Sequence, residues 1–184
     1  MSIKGLEQAI ANLNSISKTA VPRASAQAVN RVAGEAVNRS VSVVAKSTRV
    51  PRKLVKQRAR IRRATVSKPR ALIRVNRGNL PAIKLGPASL RLSRRRRDKS
   101  GANSVLQVGR FRFPGAFIRQ LANGRWHVLR RTSKSRYPIE VVSIPLAIPL
   151  TEAFRAELPA LMDERMPVVL RQNLANQLRI ILTR

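Results

Sequence analysis

The sequence predicts an α+β fold, with helices at both ends and a central, mainly antiparallel β-sheet that carries a basic hairpin arm. Three observations predict it. Apolar residues recur at intervals of three and four from Ile3 to about Lys46, and again after Pro149. Between these stretches the period drops to two, in short β-branched segments separated by Gly and Pro. The length, 184 residues, suits a single domain. Its parts are a helical region over 1–58, a β-rich basic region over 59–145 with the arm at 89–113, and helices over 149–184.

Ile3, Leu6, Ile10 and Leu13 mark the apolar stripe of a first helix. Pro22 suits the first turn of a second, because its missing N–H would be unpaired there anyway. Ala28, Val29, Val32, Ala33, Ala36 and Val37 carry that helix to about Lys46, and its alanines permit close packing. Gly34 weakens it slightly. Val50-Pro51 starts a third, shorter helix. ARIRRATV, ALIRV, AIKL, SLRL, SVLQV and RFRF then read as strands, punctuated by Pro69, Gly78, Pro81, Gly86 and Pro87. AFIRQL and RWHVLRR flank Asn123-Gly124, a hairpin signal because both residues tolerate positive φ. YPIEVVSI adds a strand. From Pro149 the helical period returns, with Thr151 as a cap and Pro159 kinking or splitting the helix. A final helix near Pro167 to Leu182 aligns Leu170, Leu174, Leu178 and Ile181.

Hydrophobic residues make up 43% of the chain but aromatics only 3%, so the core is expected to be aliphatic. Lys and Arg number 38 against 8 Asp and Glu, for a formal charge of +30. Self-repulsion at that level opposes compaction and calls for a polyanion or an acidic partner. The charge is segregated. From Ala36 to Arg97 there is no acid and there are twenty Lys and Arg, whereas five of the eight acids lie at or after Glu140. The basic field belongs to the middle, and the near-neutral ends suit protein contacts. Absence of cysteine excludes disulfides and thiolate metal sites. No run of about 18 apolar residues predicts a membrane span, and residues 1–20 lack the shape of a signal peptide.

The sharpest local feature is SRRRRDKSGANS, residues 93–104. SLRL before it and SVLQV after it read as strands, so the run lies in a hairpin connection of about ten residues, longer than a tight turn needs. It reads either as a loop tip kept soluble by charge or as an arm that reaches phosphate. Arginine favours the second use because its planar fork can bind phosphate through two bonds. The candidate contact residues are Arg91, Arg94, Arg95, Arg96, Arg97 and Lys99 on the arm, with Arg60, Arg62 and Arg63 in the first strand segment. Contact would be to the backbone and non-specific, since no zinc-finger spacing or aromatic platform is present.

Catalytic groups are not assembled in the sequence. The acids are scattered, and Asp163-Glu164, the only adjacent pair, reads as a favourable placement near a helix start. His127 is the only histidine and alternates with Trp126, so one of the two faces out. Gly109 and Gly115 lack the spacing and the lysine of a phosphate loop. No enzyme, metal or cofactor is expected. A general nucleic-acid-binding protein of ribosomal or nucleoid type would account for the charge.

Longer patterns point elsewhere. SIKGLEQAIANLNSISKTAVPRA, PRKLVKQRARIRRATV, IRVNRGNLPAIKLG, LSRRRR, PGAFIRQLANGRWHVLRR and RYPIEVVSIPLAIPLTEAF, in this order, resemble the minor tail protein Z family of lambda-like tailed phages, the tail completion proteins. The resemblance covers essentially the whole chain. It implies a structural virion protein, assembled in the host cytoplasm, at the head-proximal end of a long non-contractile tail. There it would complete the tail for head joining and genome-end positioning. By analogy with sixfold tails it implies a hexameric ring. The implied neighbours are the tail terminator or tail tube, the head–tail connector and phage DNA. No catalytic residue is carried over.

Overall fold

A computed structural model describes residues 3–92, 104–133 and 137–183. Helix α1 spans Ile3–Ser15 and α2 spans Val21–Thr48. They do not separate at Pro22. Residues Ile16–Ala20 form a π-turn, in which the Val21 N–H donates to the Ile16 carbonyl. The physical cause is the proline. It has no N–H to give to the carbonyl four residues back, and its ring would collide with that group in a regular turn. Widening the preceding turn relieves the crowding, so the chain continues as one helical rod.

Arg49, at φ +59°, ends α2 in the left-handed conformation. A short helix α3, Arg52–Lys56, follows with Pro51 as its N-cap. Among the described residues ten strands come next: β1 Ala59–Arg62, β2 Leu72–Val75, β3 Leu80–Pro81, β4 Ala88–Leu92, β5 Ser104–Val108, β6 Phe111–Pro114, β7 Ala116–Gln120, β8 Trp126–Arg131, β9 Ile139–Val141 and β10 Ser143–Ile144. All pairings are antiparallel. They divide among four small sheets, β1–β2, β3–β10, β4–β5–β6 and β7–β8–β9. The segment AIKL is a 3-10 turn, Ala82–Leu85, and not a strand. Its two buried residues, Ala82 and Leu85, are three apart, a spacing that one 3-10 turn brings to a single side.

The hairpin at Asn123-Gly124 forms, with β7 and β8 in register from Ala116↔Arg130 to Gln120↔Trp126. Its loop is wider than a two-residue turn. Leu121 donates to the Arg125 carbonyl, Gly124 donates to the Leu121 carbonyl, and of the two central residues only Gly124 takes positive φ. The Asn123 side chain instead accepts the Arg125 N–H at 3.0 Å.

The C-terminal part is one helix, α4, Ala147–Leu182, with Pro159 and Pro167 inside it. Neither proline splits it. Thr151 is not a cap; its hydroxyl donates to the Ala147 carbonyl within the helix. Asp163 and Glu164 stand exposed in mid-helix, away from any helix start. Packing holds α4 together where propensity would not. Leu161 and Val169, on either side of Pro167, are buried against Ala28, Val32 and Ala36 of α2. The two long helices run antiparallel, and α2's later half meets α4's first turns. There Val37, Val41 and Val44 join Leu146, Leu150 and Phe154 and the inner faces of the strands in the main core. That core is almost wholly aliphatic.

Candidate polyanion interface

Strands β1 and β2 form a two-stranded ribbon in the register Ala59↔Val75, Arg60↔Arg74, Ile61↔Ile73 and Arg62↔Leu72. Successive side chains on a strand face opposite ways. Ala59, Ile61, Ile73 and Val75 accordingly pack on the main core, while Arg60, Arg62 and Arg74 are exposed on the other face. Arg60 and Arg74 stand directly opposite each other. Like charges in that relation are destabilising in an isolated sheet, and an external anion would relieve the repulsion.

The ribbon is held rigidly. Asn30, on α2, grips the backbone just beyond β1: its amide donates to the Ala64 carbonyl at 2.9 Å and its oxygen accepts the Ala64 N–H at 2.7 Å. This fixes the exit of Arg62 and Arg63, both exposed. At the other end Asn76 donates to the Arg58 carbonyl at 2.7 Å. The Arg58 side chain turns away and donates to the Asn79 carbonyl at 2.9 Å. Helix α3 adds Lys53 and Lys56, also exposed.

Among the described residues ion pairs form at a single carboxylate, Glu35. Arg165 binds it through two bonds, Nε to Oε2 at 3.0 Å and Nη2 to Oε1 at 3.3 Å, and Arg31 lies 3.6 Å away. The hydrogen bond from Arg165 is the main cause holding the Glu35 carboxyl below its ordinary value, against a smaller upward push from burial. This pair joins α2 to α4 and leaves the ribbon's arginines without a protein counter-charge among the described residues.

Strands β4 and β5 pair from Ala88↔Val108 to Leu92↔Ser104, so the arginine run does connect a hairpin. Arg91 lies in β4 opposite Val105. Arg94, Arg95, Arg96, Arg97 and Lys99 lie outside the described residues. The hairpin is rooted in the core by Leu106 and Val108, and by the stacked rings of Phe111 and Phe113, 6.4 Å apart. It belongs to a different sheet from the β1–β2 ribbon, though both have their inner faces on the same core. Sequence alone does not single out Arg74. The alternation in LIRV is visible, but only the register places Arg74 beside Arg60.

Trp126 is the member of its pair that faces out, 57% exposed. His127 is half-buried opposite Arg119 in the β7–β8 ladder, and neither ring nitrogen has a hydrogen-bond partner among the described residues. No group of three His, Cys, Asp or Glu among those residues could hold a metal ion. No described helix is long and apolar enough to cross a membrane.

Comparison with known proteins adds what geometry alone does not. The tail completion protein of Escherichia phage N15 is 80% identical over 184 residues, covering all of both chains. Tail completion protein Z of Escherichia phage lambda is 57% identical over 192 residues, again covering both in full. No solved structure matches. The family model for prophage minor tail protein Z matches residues 3–184, and the chain belongs to that family.

Proposed function

We propose that this chain is a structural component of a long non-contractile phage tail, acting at the head-proximal end to complete the tail for head joining and genome-end positioning. The observation that carries the reading is its full-length relationship to two tail completion proteins. An end-to-end match of this kind preserves the whole fold rather than one motif. The role is assembly rather than catalysis. The exposed arginines of the β1–β2 ribbon, together with the basic run between β4 and β5, serve as the surface that meets DNA backbone or an acidic neighbour in the neck. Copies join into a ring matched to the sixfold tail.

The test is the position of a tagged copy in assembled particles, read by gold labelling in the electron microscope. Label at the head–tail junction is the expected result. Label elsewhere on the particle, or particles of normal infectivity formed without the protein, would overturn the reading.

A further inference from the structure

Two apolar surfaces of this chain are uncovered. The first is the stripe of α1. Leu6, Ile10 and Leu13 are 66%, 51% and 65% exposed, an unusual display of large aliphatic side chains on a chain so strongly charged. They stand at i, i+4 and i+7, the spacing with which an amphipathic helix enters a groove. The second is a groove of about 780 Å³ formed by three elements. Val29 and Val32 of α2 form one wall, Ile73 and Val75 of β2 the floor, and Leu158 and Met162 of α4 the other wall. Met162 is 43% exposed, and methionine is adaptable enough to close on an incoming side chain.

We propose that α1 of one copy docks in this groove of the next. The chain's own α1 cannot do so. It is continuous with α2, which forms a wall of the groove, so Ile10 stands roughly 28 Å from Val29 along one rod, at 1.5 Å per residue. Charge argues for a second copy's α1 as the occupant. Two chains of +30 repel over most of their surfaces. Segment 3–15 escapes this, carrying one Lys and one Glu. The groove's rim holds Arg70 and Arg155, both exposed and neither in an ion pair among the described residues. Glu7, one residue after Leu6, flanks the docking stripe at about 100° of helix turn and supplies the matching acid. Because stripe and groove are different surfaces, the contact is head-to-tail. Repeated, it closes a ring or runs on as a filament. The inference deepens the assembly part of the proposed function but names an interface that stands or falls by itself.

The chain has no cysteine, so engineered pairs report cleanly. Ile10→Cys and Met162→Cys are made as separate proteins, mixed, and treated with a short bismaleimide. The same pair is then placed in one chain, both in solution and in purified tails. The expected result is a cross-linked dimer from the mixture, and a ladder of higher species from the double variant. Leu6→Ser with Ile10→Ser abolishes the ladder and raises the concentration for self-association at least tenfold. It changes the thermal unfolding of the monomer little, because Leu6 and Ile10 are both more than half exposed. Three outcomes overturn the proposal: cross-linking of Ile10→Cys to itself, oligomers that survive the serine variant, or a monomer in solution with no cross-link in tails. Label at the head–tail junction together with any of these would leave the tail reading standing and remove only this interface.

Discussion

Asn30 has two jobs that its neighbours on α2 do not share. Its amide satisfies both the N–H and the carbonyl of Ala64 where the chain leaves β1. Truncation to alanine leaves two partly buried backbone groups unpaired, at a cost of about 1–3 kcal/mol. Asn30→Ala is expected to lower stability by that amount in denaturant unfolding, and to raise hydrogen exchange selectively around residues 62–66. Glu35 gives a second residue-level outcome. Its carboxyl is held below its ordinary value by Arg165, so it contributes stability that is fully present above the unfolded-state pKa. That contribution falls away as pH drops through the lower, folded value. Glu35→Gln should therefore flatten the acid limb of the stability–pH curve and change little once the pH lies below the folded value. With both partners partly exposed, the loss at neutral pH is smaller than for truncation of a core residue. A variant whose acid limb matched the parent's would show that the pair is electrostatically idle.

At the scale of elements, a glycine and a leucine carry more than their size suggests. Gly109 turns β5 into β6 at φ +57°, and a Cβ there would sit 2.8 Å from the Leu85 carbonyl oxygen. Gly109→Ala therefore combines backbone strain with a backbone collision, and is expected to cost about 1–3 kcal/mol in thermal or denaturant unfolding. Leu161 is fully buried between the two prolines of α4, so Leu161→Ala should cost about 2–5 kcal/mol and loosen the C-terminal half of the helix first. Both features explain what could be read from the sequence. The two helical ends and nearly every strand were visible, because each buries one face and so prints its period. Continuity through Pro22, Pro159 and Pro167 was not, because local propensity says stop at each one. It was overruled by α2 and α4 packing along each other, a contact between residues more than a hundred positions apart. Thr151 and the AIKL turn failed as readings for the same reason: a four-residue signal is weaker than the contacts around it. Of the candidate contact residues, Arg60, Arg62 and Arg63 are exposed, but their neighbour Arg74 is placed by a register that no single strand contains.

For the whole molecule, the charge decides. The described fold pairs acid with base only at Glu35, so the excess of the described residues remains at the surface, with exposed Arg and Lys on the β1–β2 ribbon and on α3. If this surface meets DNA, it does so at phosphate, and each neutralised phosphate releases counterions. The logarithm of affinity should then fall with the logarithm of salt by a slope of roughly 0.9 per phosphate. Arg60, Arg62 and Arg74 replaced together by serine should shallow that slope by about 0.9 for each phosphate the variant leaves unneutralised, with equal effect on unrelated duplex sequences. The fold should be unaffected, because all three side chains point away from the core. Arg94, Arg95, Arg96 and Arg97 replaced by serine should likewise leave cooperative unfolding intact, since Leu106 and Val108 root the hairpin in the core. The two variants separate the two basic regions. A slope changed only by the second assigns phosphate binding to the run between β4 and β5. A slope changed by neither, or one flat in the parent, removes DNA from the account and leaves an acidic protein surface as the counter-charge, to be sought by cross-linking in assembled tails.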